Sequence, residues 1–148
     1  MDTPDWPHEK IRSVALPFIR EHVTREPDWR FTRLDALPER LARIVHIEEP
    51  ERALVSCFVD GLNWHVMTTS RIFGVCRGSQ FSCTPLDVSQ WRWGDFKRSG
   101  RSEVEVATLA LANGTHVKFP YETGAASTAP IYYERFWTMK FKMLDKLV

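Results

Sequence analysis

Long apolar runs are missing from this sequence. No stretch approaches the roughly 18 consecutive apolar residues that span a bilayer, which excludes a transmembrane helix. The amino terminus, MDTPDWPHEK, opens acidic and lacks the apolar segment of a secretory leader. The expectation is an intracellular, cytoplasmic protein. Cysteine is scarce: Cys57, Cys76 and Cys83 are odd in number and form no Cys-x-x-Cys pair, so neither a disulfide framework nor a zinc ribbon is expected. The five histidines, His8, His22, His46, His65 and His116, include no helical i, i+4 pair, and no metal or cofactor is expected. Charge of one sign is also lacking. A net charge of +1 creates no global field to attract nucleic acid or an anionic membrane, so nucleic acid is not an expected partner. Glycine-rich phosphate cradles are absent too, because the segment 123–129 carries neither the spacing nor the lysine of one.

What is present suits one compact core. The chain has 148 residues, of which 43% are hydrophobic and 26% charged, with six Trp and nine Phe to supply large apolar area. The first 49 residues read as a helical extension. Pro7 suits a first helical turn, and Ile11, Val14, Ala15, Phe18, Ile19 and Val23 recur at helical spacing. Pro17 interrupts them and predicts a kink, or two short helices. Residues 25–35 read as a connection anchored by Trp29 and Phe31. A second helix is predicted from about Pro38 to Glu48, with Leu37, Leu41, Ile44 and Val45 on one stripe.

From Ala53 the pattern changes to short strands and turns. Strands are predicted over 53–59, 64–68 and 72–77, with further ones near 84–88 and 90–93. Asn113-Gly114 predicts a two-residue type I′ turn, because both residues tolerate positive φ. It joins strands 104–112 and 115–121. With Ala112 opposite Thr115, that register puts Val104, Val106, Thr108 and Ala110 on one inner face with Val117, Phe119 and Tyr121, and leaves Leu109 and Leu111 outside. A helix over about 131–147 closes the chain, its stripe made by Tyr133, Phe136, Trp137, Phe141 and Leu144.

The run "HVMTTSRIFGV", with its Thr68, Thr69, Ser70, Arg71 and Ile72, joins a Trp-containing later strand, a long Asn-Gly hairpin and one final helix. Together these resemble the small bacterial PH and GRAM-like domains over residues 50–148. The resemblance implies an α+β fold: a PH-like, partly open antiparallel β-barrel capped by the C-terminal helix, with the N-terminal helical extension outside it. It also implies binding of lipids, peptides or proteins rather than catalysis. The first turn, Asp60-Gly61-Leu62-Asn63, departs from the family's basic phosphoinositide cluster and carries no base.

Two segments carry candidate chemistry. Gly74-Val75-Cys76-Arg77-Gly78 has the spacing of a nucleophile elbow, which needs a strand leading in, a helix leading out and the thiol at the bend. Here the following residues, with Pro85 among them, make a poor helix, and Cys76 falls in phase with Ile72 on an apolar face. A wall residue is the preferred reading, and a thiol enzyme is an alternative. The second segment interleaves Trp91 and Trp93 with Arg92, Lys97, Arg98 and Arg101. Aromatic platforms beside bases can hold anions or meet lipid headgroups. The plainer reading has both tryptophans packing inward and the bases solvated. Without a catalytic constellation, the expected function is a non-catalytic module for protein–protein recognition, either an adaptor or a toxin-neutralising immunity protein. Binding of anionic lipid or phosphate through residues 92–101 is the alternative. Open sheet edges and apolar residues on an added helical layer would also support a homodimer.

Overall fold

The structure, a computed structural model, describes residues 6–97 and 103–147. The architecture is α+β. Helix α1 (His8–His22) runs through Pro17 as one helix, with Pro17 on its exposed face. Five strands then form one antiparallel meander: β1 (Thr32–Leu34), β2 (Ala53–Asp60), β3 (Asn63–Thr68), β4 (Ile72–Cys76) and β5 (Ser79–Cys83). A second sheet contains β6 (Val88–Arg92), β7 (Val104–Leu111) and β8 (His116–Glu122). The short helix α2 (Glu39–Ala42) lies between β1 and β2 in sequence. The final helical segment begins at α3 (Thr128–Arg135), widens into a π-helical stretch over Phe136–Phe141 and ends with α4 (Lys142–Asp145). No strand pairing joins the two sheets among the described residues, so they do not close into a barrel.

One hydrophobic cluster fills the space between the sheets and under the helices. Ile11, Ala15 and Ile19 of α1 meet Leu54, Met67, Ile72, Leu109, Phe119 and the aromatic face of Tyr133, Phe136 and Trp137. Burying each large side chain contributes about 1.5–3 kcal/mol, and that drives docking of both helical segments. Hydrogen bonds between distant segments add to this packing. Tyr133 Oη donates to the Thr68 carbonyl at 2.7 Å, His65 Nδ1 meets the Pro120 carbonyl at 2.6 Å, and Ser56 Oγ donates to the Ala36 carbonyl at 2.8 Å. A smaller cluster on the opposite face of the five-stranded sheet holds Leu41, Trp64 and Val66, with Val45 and Ile47 packed against it.

Four expectations are corrected here. The helical extension contains a strand, since β1 pairs with β2 through Thr32↔Cys57 and Leu34↔Val55. The Glu122 carboxylate holds that segment to β8, accepting the amide N–H groups of Arg30, Phe31 and Thr32 at 2.8–3.0 Å and the Thr32 hydroxyl at 2.7 Å. Second, the helix expected over 38–48 is four residues long. Beyond it the chain lays Val45 and Ile47 on the sheet face and leaves Ile44 exposed, so packing overrides helical spacing. Third, the strand expected at 84–88 lies earlier, at Ser79–Cys83, while Pro85–Asp87 forms a 3-10 turn.

Fourth, β7 is slipped by one residue. Its partners on β8 are Ala107↔Phe119 and Leu109↔Val117, so Ala107 and Leu109 are fully buried and the even-numbered residues face the other way. A one-residue slip inverts both faces of a strand. The cause is the turn: Leu111 N–H donates to the Thr115 carbonyl, Gly114 N–H donates to the Leu111 carbonyl, and Gly114 has φ +89°. That is a three-residue loop with glycine in the left-handed position, not a two-residue type I′ turn.

Candidate binding clefts beside the edge strand

The type I′ turn is found in the Gly-x-Cys-x-Gly stretch. Cys76 pairs with Ser79, and the two residues between, Arg77 and Gly78, have φ of +50° and +83°, as a type I′ hairpin requires. The other glycine has a different task. A Cβ on Gly74 would stand 2.2 Å from the Trp64 carbonyl oxygen and 2.9 Å from the His65 Cα, so only glycine lets β4 lie this close to β3. A strand leads out of the bend where an elbow would need a helix. Cys76 is 8% exposed. Burial pushes its thiol up from the ordinary range, with nearby Arg77 and Lys118 opposing. Burial drives Cys57 and Cys83 up to about 12. A nucleophilic cysteine needs the reverse shift and a partner base, and the hydrogen bonds that His8, His22 and His65 make through Nδ1 go to Thr69, Phe18 and Pro120 rather than to Cys76.

The β4–β5 hairpin instead walls a cleft of about 540 Å³ that opens between it and β8. Arg77 stands at the hairpin tip, His116 and Lys118 project from β8, and residues 79–82 of β5 complete the lining, with Ser79 on the face of its partner Cys76. None of the described residues lining this cleft is acidic. Among the described residues, neither the Arg77 guanidinium nor the Lys118 ammonium has an ion pair, although Arg12, Arg30 and Arg71 each do. Opposite-charge attraction there is available to an incoming group.

A second groove of about 410 Å³ lies on the other face of the same sheet. Trp64, Phe73 and Val75 form its floor, exposed Ile44 and His46 one side, and Arg71 one end. Arg71 is held in place: its Nε and Nη2 donate to the Glu51 carboxylate at 2.9 and 3.2 Å, and its guanidinium lies 4.0 Å from the Phe73 ring centroid. Burial raises the Glu51 carboxyl, but hydrogen bonds from Arg71, Thr68 and Ser70 outweigh it and leave the group below the usual carboxylate range. Gln80, Phe81 and Ser82 of β5 line both clefts, so the two openings share the edge strand as their rim.

The residues singled out in the sequence lie elsewhere. Trp91 and Trp93 stack at 6.1 Å and pack half-buried against the main cluster, and Trp93 Nε1 donates to Glu134 at 3.2 Å. Both rings thus carry part of the core packing and keep part of their surface exposed. Arg92 projects to solvent and donates to Gln90 at 3.1 Å, and Lys97 is exposed. Arg98 and Arg101 lie outside the described residues. The structure therefore brings together Arg77, His116 and Lys118, which spacing along the chain does not associate. The signal that could have found them is the left-handed Arg77-Gly78 pair, which sets β5 at 79–83 and turns the hairpin tip toward the start of β8.

Among the described residues, no group of three or more His, Cys, Asp or Glu side chains could hold a metal ion. No described helix is long and apolar enough to cross a membrane. No family model matches the chain, and no solved structure does. A 74-residue stretch is 32% identical to part of a DNA polymerase I of Chloroflexus aurantiacus, covering 50% of this chain and 8% of that protein. The chain thus spans under a tenth of that relative's length.

Proposed function

We propose that this chain is a non-catalytic, PH-like binding module that recognises an acidic segment of a protein partner in the cleft between the β4–β5 hairpin and β8. The observation that carries the reading is electrostatic. Arg77 and Lys118 flank one opening with His116, without a carboxylate among its described lining residues. Structural bases elsewhere, such as Arg12 on Asp35 at 2.7 Å, are already paired. Unpaired bases at a concave, partly apolar surface favour association with an anionic partner and set its orientation. The strand order of the two sheets and the helix after β8 support the PH-like assignment. Adaptor and immunity roles would both use such a surface.

The test is affinity capture from host cells with the native chain and with Arg77→Glu/Lys118→Glu. A partner captured at low salt, released at high salt and lost with the charge reversal is the expected result, since exposed charge pairs weaken as salt rises. A set of captured proteins unchanged by the reversal would refute the reading.

A further inference from the structure

Strand β5 ends its sheet, and β4 is its one strand partner among the described residues. Its sequence, SQFSC, has no charge and no proline, the devices by which proteins usually blunt an open edge. Ser79, Gln80 and Ser82 are exposed, and no backbone hydrogen bond from residues 79–83 reaches any described residue beyond β4. The edge is also bordered on both faces. On one side lie Arg77, His116 and Lys118, and on the other Phe73, Val75 and exposed Ile44.

From these features we infer that the partner segment binds as an added β-strand on the free edge of β5, with acidic side chains at one alternate set of positions and apolar side chains at the other. The inference rests on the binding-module reading above and specifies its geometry. Successive side chains of an extended peptide point to opposite faces of the sheet. A strand hydrogen-bonded to β5 therefore presents one set to the basic cleft and the other to the apolar groove. Main-chain hydrogen bonds along an edge supply affinity, and side-chain pockets on alternate sides supply selectivity. The two clefts differ in chemistry: none of the described residues lining the basic one is acidic, and three aromatic or branched residues, Trp64, Phe73 and Val75, form the floor of the other. A uniformly acidic peptide would waste the second, and a uniformly apolar one the first.

The probe is a fluorescent synthetic peptide alternating Glu and Val, compared with a blocked peptide of the same composition and with alternating peptides N-methylated on every second residue in each of the two phases. Fluorescence anisotropy should show the alternating peptide binding at least about tenfold tighter than the blocked one. Methylation in one phase should abolish that gain and in the other preserve it, because alternate amides of a strand face opposite edges. Amide exchange at residues 79–83 should slow about tenfold on binding. Lys118→Glu, which leaves the hairpin turn untouched, should weaken binding about tenfold.

Equal binding of the alternating, blocked and both methylated peptides, still lost in Lys118→Glu, would overturn strand addition while leaving the basic cleft standing. Binding indifferent to Lys118→Glu and to Arg77→Glu would overturn the cleft reading itself. Failure of the alternating peptide to bind overturns the strand-addition inference. So does protection of residues 79–83 that grows with protein concentration in the absence of peptide, because the edge would then belong to a second copy of the chain.

Discussion

Acidification should loosen this fold at His65. The ring is fully buried on β3, between Cys57 of β2 and Gly74 of β4 in the sheet, and edge-on to Phe119 of β8 with centroids 5.1 Å apart. Its Nδ1 carries the proton donated to the Pro120 carbonyl, and Nε2 has no partner among the described residues. Burial disfavours the imidazolium and lowers the pKa to about 4, with the Pro120 carbonyl opposing. The unfolded chain begins to take up this proton near pH 6.5, while the folded one resists to about 4. A base depressed in this way contributes stability that is complete above the unfolded pKa and is lost as pH falls through the folded one. At about 1.4 kcal/mol per pH unit, the loss is roughly 3 kcal/mol, a large part of the stability of a domain this size. The assay is urea denaturation of the native protein and His65→Gln at a series of values from about pH 7 to about pH 4.5. Glutamine can still donate to the Pro120 carbonyl and does not titrate. Glu51, held low by Arg71, also loses stabilisation on acidification, equally in both proteins, so the difference between the two curves isolates His65. The native protein should lose about 2–3 kcal/mol more than the variant over this range. Parallel curves would refute the reasoning.

Two other perturbations probe the hairpin. Gly74→Ala forces a methyl to within 2.2 Å of the Trp64 carbonyl oxygen and should cost about 1–3 kcal/mol or more, read as a lower urea midpoint; an unchanged midpoint would contradict the close approach of β3 and β4. All three thiols should react slowly with a disulfide reagent at neutral pH in the native state, and at least about tenfold faster in denaturant. Rapid native labelling lost in Cys76→Ala would revive the nucleophile, against the raised pKa of that thiol.

Local rules read well where one segment decides its own structure. The helical spacing of Ile11, Ala15 and Ile19 and the alternation through Trp64 to Val75 appear as α1 and as the β3–β4 hairpin. They read poorly where two segments compete for one face. Asn113-Gly114 forms a hairpin but not the turn its residues favour, because a three-residue loop lets Leu109 and Ala107 face Val117 and Phe119 in the core. Leu37 to Glu48 has a helical stripe, yet Val45 and Ile47 gain more from lying on the sheet than from another turn of helix. The candidate site was half visible. Cys76 as a wall residue follows from its phase with Ile72, whereas the cleft lined by Arg77 and Lys118, which stand 41 positions apart, is not legible from spacing along the chain.

The sequence by itself determined where strands and helices are available, because periodicity and the residues tolerated at turns are properties of short windows. Tertiary structure alone decided the register of β7, the recruitment of residues 32–34 as an edge strand and the meeting of Arg77 with His116 and Lys118. Those outcomes depend on which of several compatible faces buries the most apolar surface when distant segments meet, a comparison that no single window of sequence contains.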